Sequence, residues 1–207
     1  MLLTTIQIAL LIILPLLLYY RQVSLRTSQI VLFIAMIYVI WYATYSPLHE
    51  LRHLLPAVVL KEPIIDIQLF PHFLQGELSG GHITTKYSNA GNEFIIVLFP
   101  YLTDILFAIF GAVLLTKLVP RSRPLTFGLL LTILVTSPLF DVVNNYAAFV
   151  LGAKNDFNAI GYTTSVATAH AIGIIGTIVT LGAGSLTLWW VLKKHGAGEQ
   201  VSSIIPG

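Results

Sequence analysis

The sequence predicts an all-α membrane protein of about five transmembrane helices, with a small β-hairpin between the second and third. Three observations predict it. Mean hydropathy is +0.85, and only 10% of the 207 residues are charged, whereas soluble domains carry about 25%. Five apolar runs are long enough, at ~20 residues, to cross a hydrocarbon core as helices. One stretch between the second and third runs has a different, strand-like period.

The runs are roughly Leu2–Tyr20, Gln29–Leu55, Phe94–Leu118, Leu125–Leu151 and Thr164–Leu192. Lipid offers no hydrogen bonds, so each segment must satisfy its own backbone, and helix is the state that does so. The first run has no basic start, and it leads into Tyr19, Tyr20 and Arg21 rather than a small-residue cleavage site. It therefore reads as a retained helix, not a cleaved signal. Residues 1–194 form a single transmembrane domain, and 195–207 a short polar C-terminal tail. Between Leu60 and Asn92, Ile65, Ile67 and Leu69 alternate with Asp66 and Gln68, the period of a strand with one apolar face. A turn-rich stretch with Gly76, Gly80 and Gly81 follows, then His82–Tyr87 with strand propensity. This predicts a hairpin beside the helices; an irregular loop is the alternative.

Arg21 and Arg26 follow the first run, Lys117, Arg121 and Arg123 lie between the third and fourth, and Lys193 and Lys194 follow the fifth. With five spans all three clusters share one side. The positive-inside rule makes that side cytoplasmic and puts the start of the first span outside. A dispersed net charge of +2 gives no footprint for nucleic acid. The absence of cysteine excludes disulfides, thiol nucleophiles and thiolate-held metals. Any metal here is held by His, Asp or Glu.

His49-Glu50-Leu51-Arg52-His53 fits the HExxH pattern. Residues four apart lie one turn above each other on a helix, so both imidazoles reach one ion. Glu50 is placed to deprotonate a water on that ion, which zinc makes acidic near neutral pH. The plain alternative is a helix end whose polar groups meet headgroups and water. Ionisable groups at the end of a membrane run are costly, however, and usually functional. A hydrolytic zinc site needs a third protein ligand and an open fourth position. Asp104, Asp141 and His170 are the candidates within the spans, and Asp141 fits best. It follows Pro138 in Ser137-Pro-Leu-Phe-Asp141, and Asn144 and Asn145 share its helical face. Those carboxamides would orient the ligand or bind a substrate carbonyl, or else the group merely fastens helices together. Asp104 reads as a partner to a histidine or as an interhelical hydrogen bond, His170 as a packed histidine, and His72 and His82 as surface residues.

At this point the chain resembles the site-2 protease family of intramembrane zinc metalloproteases. The resemblance rests on the 49–53 motif at the end of a membrane helix and on the glycine-rich strand segment Ile64–Tyr87. It continues with Phe99-Pro-Tyr-Leu-Thr-Asp104 in the third run and the Pro/Asp/Asn motif of the fourth. It covers about residues 30–150. It implies Zn2+ held by His49, His53 and Asp141, with Glu50 as the catalytic base and proton shuttle. It also implies a membrane-protein substrate, lying in the lipid bilayer, that unwinds and pairs with a hairpin strand. Asn144 would hold that substrate or the developing oxyanion. Three features depart from the family pattern. Arg52 stands where a small residue is common, Val142 follows Asp141 where glycine is usual, and the charge pattern sets the motif near the outer face.

Two rival readings address the same residues. A di-iron oxidase would need several histidine boxes, and six scattered histidines do not supply them. A non-catalytic membrane protein, a transporter or an inactive protease-like fold, would carry the same polar residues as a solute path or a fastening. No soluble recruiting domain is visible, so substrate selection would fall to the membrane helices or to partners.

Overall fold

The computed structural model describes residues 2–70, 81–120 and 122–196. Among them are five helices long and apolar enough to cross a membrane. They are α1 (Leu2–Tyr20), α2 (Thr27–Val59), α3 (Ala90–Lys117), α4 (Pro124–Val150) and α6 (Val166–Gly196), with the short α5 (Asp156–Thr163) between the last two. The helix α5 is absent from the sequence expectation, because its eight residues are too few and too polar to read as a span. The last helix also extends beyond Leu192 to include residues 195 and 196, while 197–207 lie outside the described residues.

Most of the bundle's surface is apolar and faces outward, as lipid-facing helices require, and α4 is the exception. Its most apolar stretch is 61% buried, against 22–39% for the other four. It is the central post around which the others stand. Gly111 lets α3 approach it closely, since a Cβ there would meet Leu134 Cβ at 2.6 Å.

Both α1 and α4 contain a π-helical turn, Ala9–Ile13 and Thr132–Thr136, and each lies just ahead of a proline, Pro15 and Pro138. A proline ring clashes with the carbonyl four residues back and donates nothing to it. Widening the preceding turn by one residue relieves that clash.

Two apolar clusters close the bundle at opposite ends. One gathers Tyr19, Tyr20, Ile37, Leu115, Phe127 and Val191. The other gathers Val97, Tyr101, Val142, Phe157, Ile160 and Ala169. A third, around Ile12, Trp41 and Phe140, ties α1 to α2 and α4.

The hairpin forms as expected. Strands β1 (Ile64–Gln68) and β2 (His82–Thr85) are antiparallel, with Ile67 opposite Ile83 and Gln68 opposite His82. A register irregularity at Ile65 marks a bulge, which twists the ribbon. The expected turn glycines Gly76 and Gly80, and His72, lie outside the described residues. Glu62 fastens the base of the hairpin by accepting hydrogen bonds from Ser88 N (2.8 Å), Ser88 Oγ (2.5 Å) and Asn92 Nδ2 (2.5 Å). Those bonds hold its carboxyl below the usual range. Gly81 N donates to Ser46 Oγ at 2.6 Å, so β2 runs beside α2, one turn from the HExxH motif.

Candidate metal centre

The second helix carries His49 and His53 on one face, well inside the bundle. At 1.5 Å per residue, His53 lies about 9 Å and His49 about 15 Å from the helix end at Val59. Each ring is held at both nitrogens. His53 Nδ1 is 3.0 Å from the backbone oxygen of Ile96. That carbonyl is free because its helical donor would be residue 100, and Pro100 has no N–H. A carbonyl only accepts, so His53 Nδ1 carries a proton, and Nε2 is the ring nitrogen that faces Asp156. His49 Nδ1 is 2.7 Å from Asp141 Oδ2. The carboxylate fixes the same tautomer there, and His49 Nε2 faces the same point.

The third group at that point is Asp156. Its Oδ2 lies 3.2 Å from His53 Nε2 and 3.4 Å from His49 Nε2, and the two nitrogens are 3.3 Å apart. His49, His53 and Asp156 form the candidate metal cluster among the described residues. Asp156 opens α5, and several contacts place it. Asn155 caps the helix by accepting from Phe157 N at 3.1 Å, while Asn155 Nδ2 donates to the Asn145 carbonyl at 2.6 Å. Phe157 is fully buried against Tyr101, and Tyr101 Oη donates to Asp156 Oδ2 at 2.9 Å.

His49 Nε2, His53 Nε2 and Asp156 Oδ2 lie within 3.2–3.4 Å of one another, close enough to act together as ligands of one cation. The dimensions also fit zinc. Bonds of 2.0–2.2 Å in tetrahedral geometry put ligand atoms about 3.3 Å apart. His49, His53 and Asp156 could therefore hold an ion of that size.

This places the sequence candidates differently from expectation. Asp141, expected as the third ligand, stands behind His49 on the ring's other nitrogen and outside the donor triangle. The reason is that α4 packs against the Nδ1 side of His49, while the α4–α5 connection folds back across the Nε2 side. Asp141 is itself held by Tyr45 Oη (2.5 Å) and Asn145 Nδ2 (2.9 Å). Arg52 turns away from the cluster. Its Nη1 pairs with Asp104 Oδ1 and lies 4.0 Å from Asp141 Oδ2, and its guanidinium covers the Phe107 ring. Asp104 is fully buried, and removing one partner of such a pair costs about 3–5 kcal/mol. The Arg52 guanidinium is thus taken up by Asp104 and does not face the donor triangle. His170 packs against Tyr146, 3.1 Å from its hydroxyl, and takes no part in the cluster. His82 pairs with Asp66 at 2.9 Å on the exposed hairpin.

Glu50 and His49 lie between two cavities. One, about 250 Å³, contains all three donor residues and is walled on its far side by Gly81, Ile83, Thr85 and Tyr87. These alternate residues are the face that β2 and its extension present to the metal cluster. The other, about 310 Å³, lies between α1, α2 and α4, and Asn144 lines it. Asn144 is thus beside Glu50 and not at the donor triangle.

Sequence reasoning missed Asp156 because it searched the apolar runs for a carboxylate. The available signal was Asn155-Asp156, a helix-capping pair directly after a membrane span. Compared with protein-family models, curated proteins and solved structures, the chain matches none, so the case for its chemistry rests on this geometry.

Proposed function

We propose that the chain is an intramembrane zinc metalloprotease of the site-2 protease kind. It would hold Zn2+ on His49, His53 and Asp156 and hydrolyse a peptide bond in or near a membrane-embedded segment. The observation that carries this reading is the donor triangle with edges of 3.2–3.4 Å, built on an HExxH helix inside an apolar bundle. When bound there, zinc would act as a Lewis acid toward a water and a scissile carbonyl. The chain's own groups would do the rest. Glu50, beside His49 and at the edge of both cavities, would take the proton from the attacking water and return it to the leaving amine. Asp141 and the Ile96 carbonyl keep both imidazoles in the metal-binding tautomer. The substrate would lie extended along β2, whose outer edge has no strand partner among the described residues. Asn144 would bind its backbone beside Glu50.

Metal analysis of the purified protein tests the reading first, and the expected content is one zinc per chain. Glu50→Gln should retain that zinc and lose at least 100-fold in peptide-bond hydrolysis, the scale of a general base. Protein without stoichiometric metal, or full hydrolysis by Glu50→Gln, would sink it.

A further inference from the structure

We propose that the cavity between α1, α2 and α4 is a specificity subsite for a bulky, uncharged apolar side chain flanking the scissile bond. The inference rests on the proteolytic reading above and adds to it the kind of sequence that would be cut.

The cavity ends on His49 and Glu50, the two residues it shares with the metal-side cavity. A side chain entering it therefore belongs to a residue next to the bond under attack. At about 310 Å³ it lies at the small end of ligand-site volumes. That suits one large side chain, while the metal-side cavity takes the backbone.

Its apolar wall is Ile8, Trp41, Tyr42, Tyr45 and Phe140, and Thr4, Ser46, Asn144 and Asn145 also line it. The polar atoms of two of these aromatics are engaged elsewhere. Trp41 Nε1 donates to Ser137 Oγ at 2.9 Å, and Tyr45 Oη donates to Asp141. Both rings thus present apolar faces to the space. Phe140 meets Trp41 edge-on, with ring centroids 5.2 Å apart, which fixes the back wall. Glu50 at the mouth would repel an acidic side chain and would be neutralised by a basic one, so a charged residue is a poor occupant.

The test uses the full chain, zinc-loaded in detergent micelles, and a mixed-sequence peptide library whose cut sites are read by mass spectrometry. Leu, Met, Phe and similar residues should be enriched about tenfold over Gly and Ala at one of the two positions flanking the cut, the discrimination an apolar pocket supplies. Thr4→Trp fills the cavity from α1, and it should move that preference to Gly, Ala and Ser while zinc content stays at one per chain. Ile8→Trp does the same from the next turn, should Thr4→Trp fail to fold. Cleavage blind to side-chain size at both flanking positions, or an unchanged profile in the filled variants, overturns the subsite and leaves proteolysis standing. Zinc-loaded wild type that cuts no peptide overturns both.

Discussion

At the scale of single residues, the proposed metal centre depends on which carboxylate would touch an ion and which touches the ring behind it. Asp156 Oδ2 faces both Nε2 atoms, whereas Asp141 Oδ2 faces His49 Nδ1. These positions have different energetic consequences. Removing a partner of a ligating histidine costs 10–100-fold in metal affinity, while removing a ligand leaves two donors where zinc needs three. In a competitive titration against a chromophoric chelator, Asp141→Asn should therefore weaken zinc binding about 10–100-fold, and Asp156→Ala should weaken it beyond that range. The reverse order would reassign the third ligand to Asp141. The sequence made the pairing of His49 and His53 legible because helical spacing alone brings them together. It did not reveal the third, since nothing in local pattern says that the α4–α5 connection returns to α2. That approach is a tertiary fact, fixed by Asn155 on the Asn145 carbonyl and by Tyr101 against Phe157. Arg52 was the awkward residue of the motif, and it too is explained only by a distant partner, Asp104 on α3.

At the scale of elements, prolines do the positioning, and all of them are visible in the sequence. Pro138 follows the π turn of α4 and precedes Asp141 by less than one turn, so the wide turn sets the rotation at which that carboxylate meets His49. Pro100 has the clearest consequence, because it leaves the Ile96 carbonyl free to accept from His53 Nδ1. Replacing Pro100 with Ala restores the helical donor and makes the two N–H groups compete for one oxygen. Interior proline disfavours a helix by about 3 kcal/mol relative to Ala, so Pro100→Ala should raise the unfolding midpoint of the metal-free protein. The same change should lower zinc affinity about tenfold, the smaller end of the effect of losing a histidine's partner. A variant that is both more stable and equally tight for zinc would show that the carbonyl is not what orients His53. The five long runs and the hairpin were legible because bilayer length and strand alternation are strong periodic signals. The eight-residue α5 was not, because it has neither.

At the scale of the whole molecule, what matters is which face of the bilayer the metal centre approaches. Helix α2 spans 33 residues, about 50 Å at 1.5 Å per residue, against a hydrocarbon core of ~30 Å. It therefore tilts or projects, and its His53 end lies toward the hairpin, Lys154 and Asp156. Of the eleven basic residues, Arg21, Arg26, Lys117, Arg123 and Lys193 belong to the opposite end of the described structure. Lys61, Lys86 and Lys154 are at the hairpin end, and Arg52 lies within the bundle, paired to Asp104. By the positive-inside rule the proposed metal centre would lie toward the outer face, and a substrate would enter from the outer half of the bilayer. The chain has no cysteine, so single introduced thiols report topology without background. Ser24→Cys, between α1 and α2, should react with a membrane-impermeant maleimide only after the cells are permeabilised. Lys154→Cys, between α4 and α5, should react in intact cells. The opposite labelling pattern would turn the molecule over and place the site on the cytoplasmic side, where the family it resembles commonly has it. The fold and the donor triangle would stand in either orientation, because both are set by packing within the bundle. Only the direction from which a substrate reaches Glu50 would change.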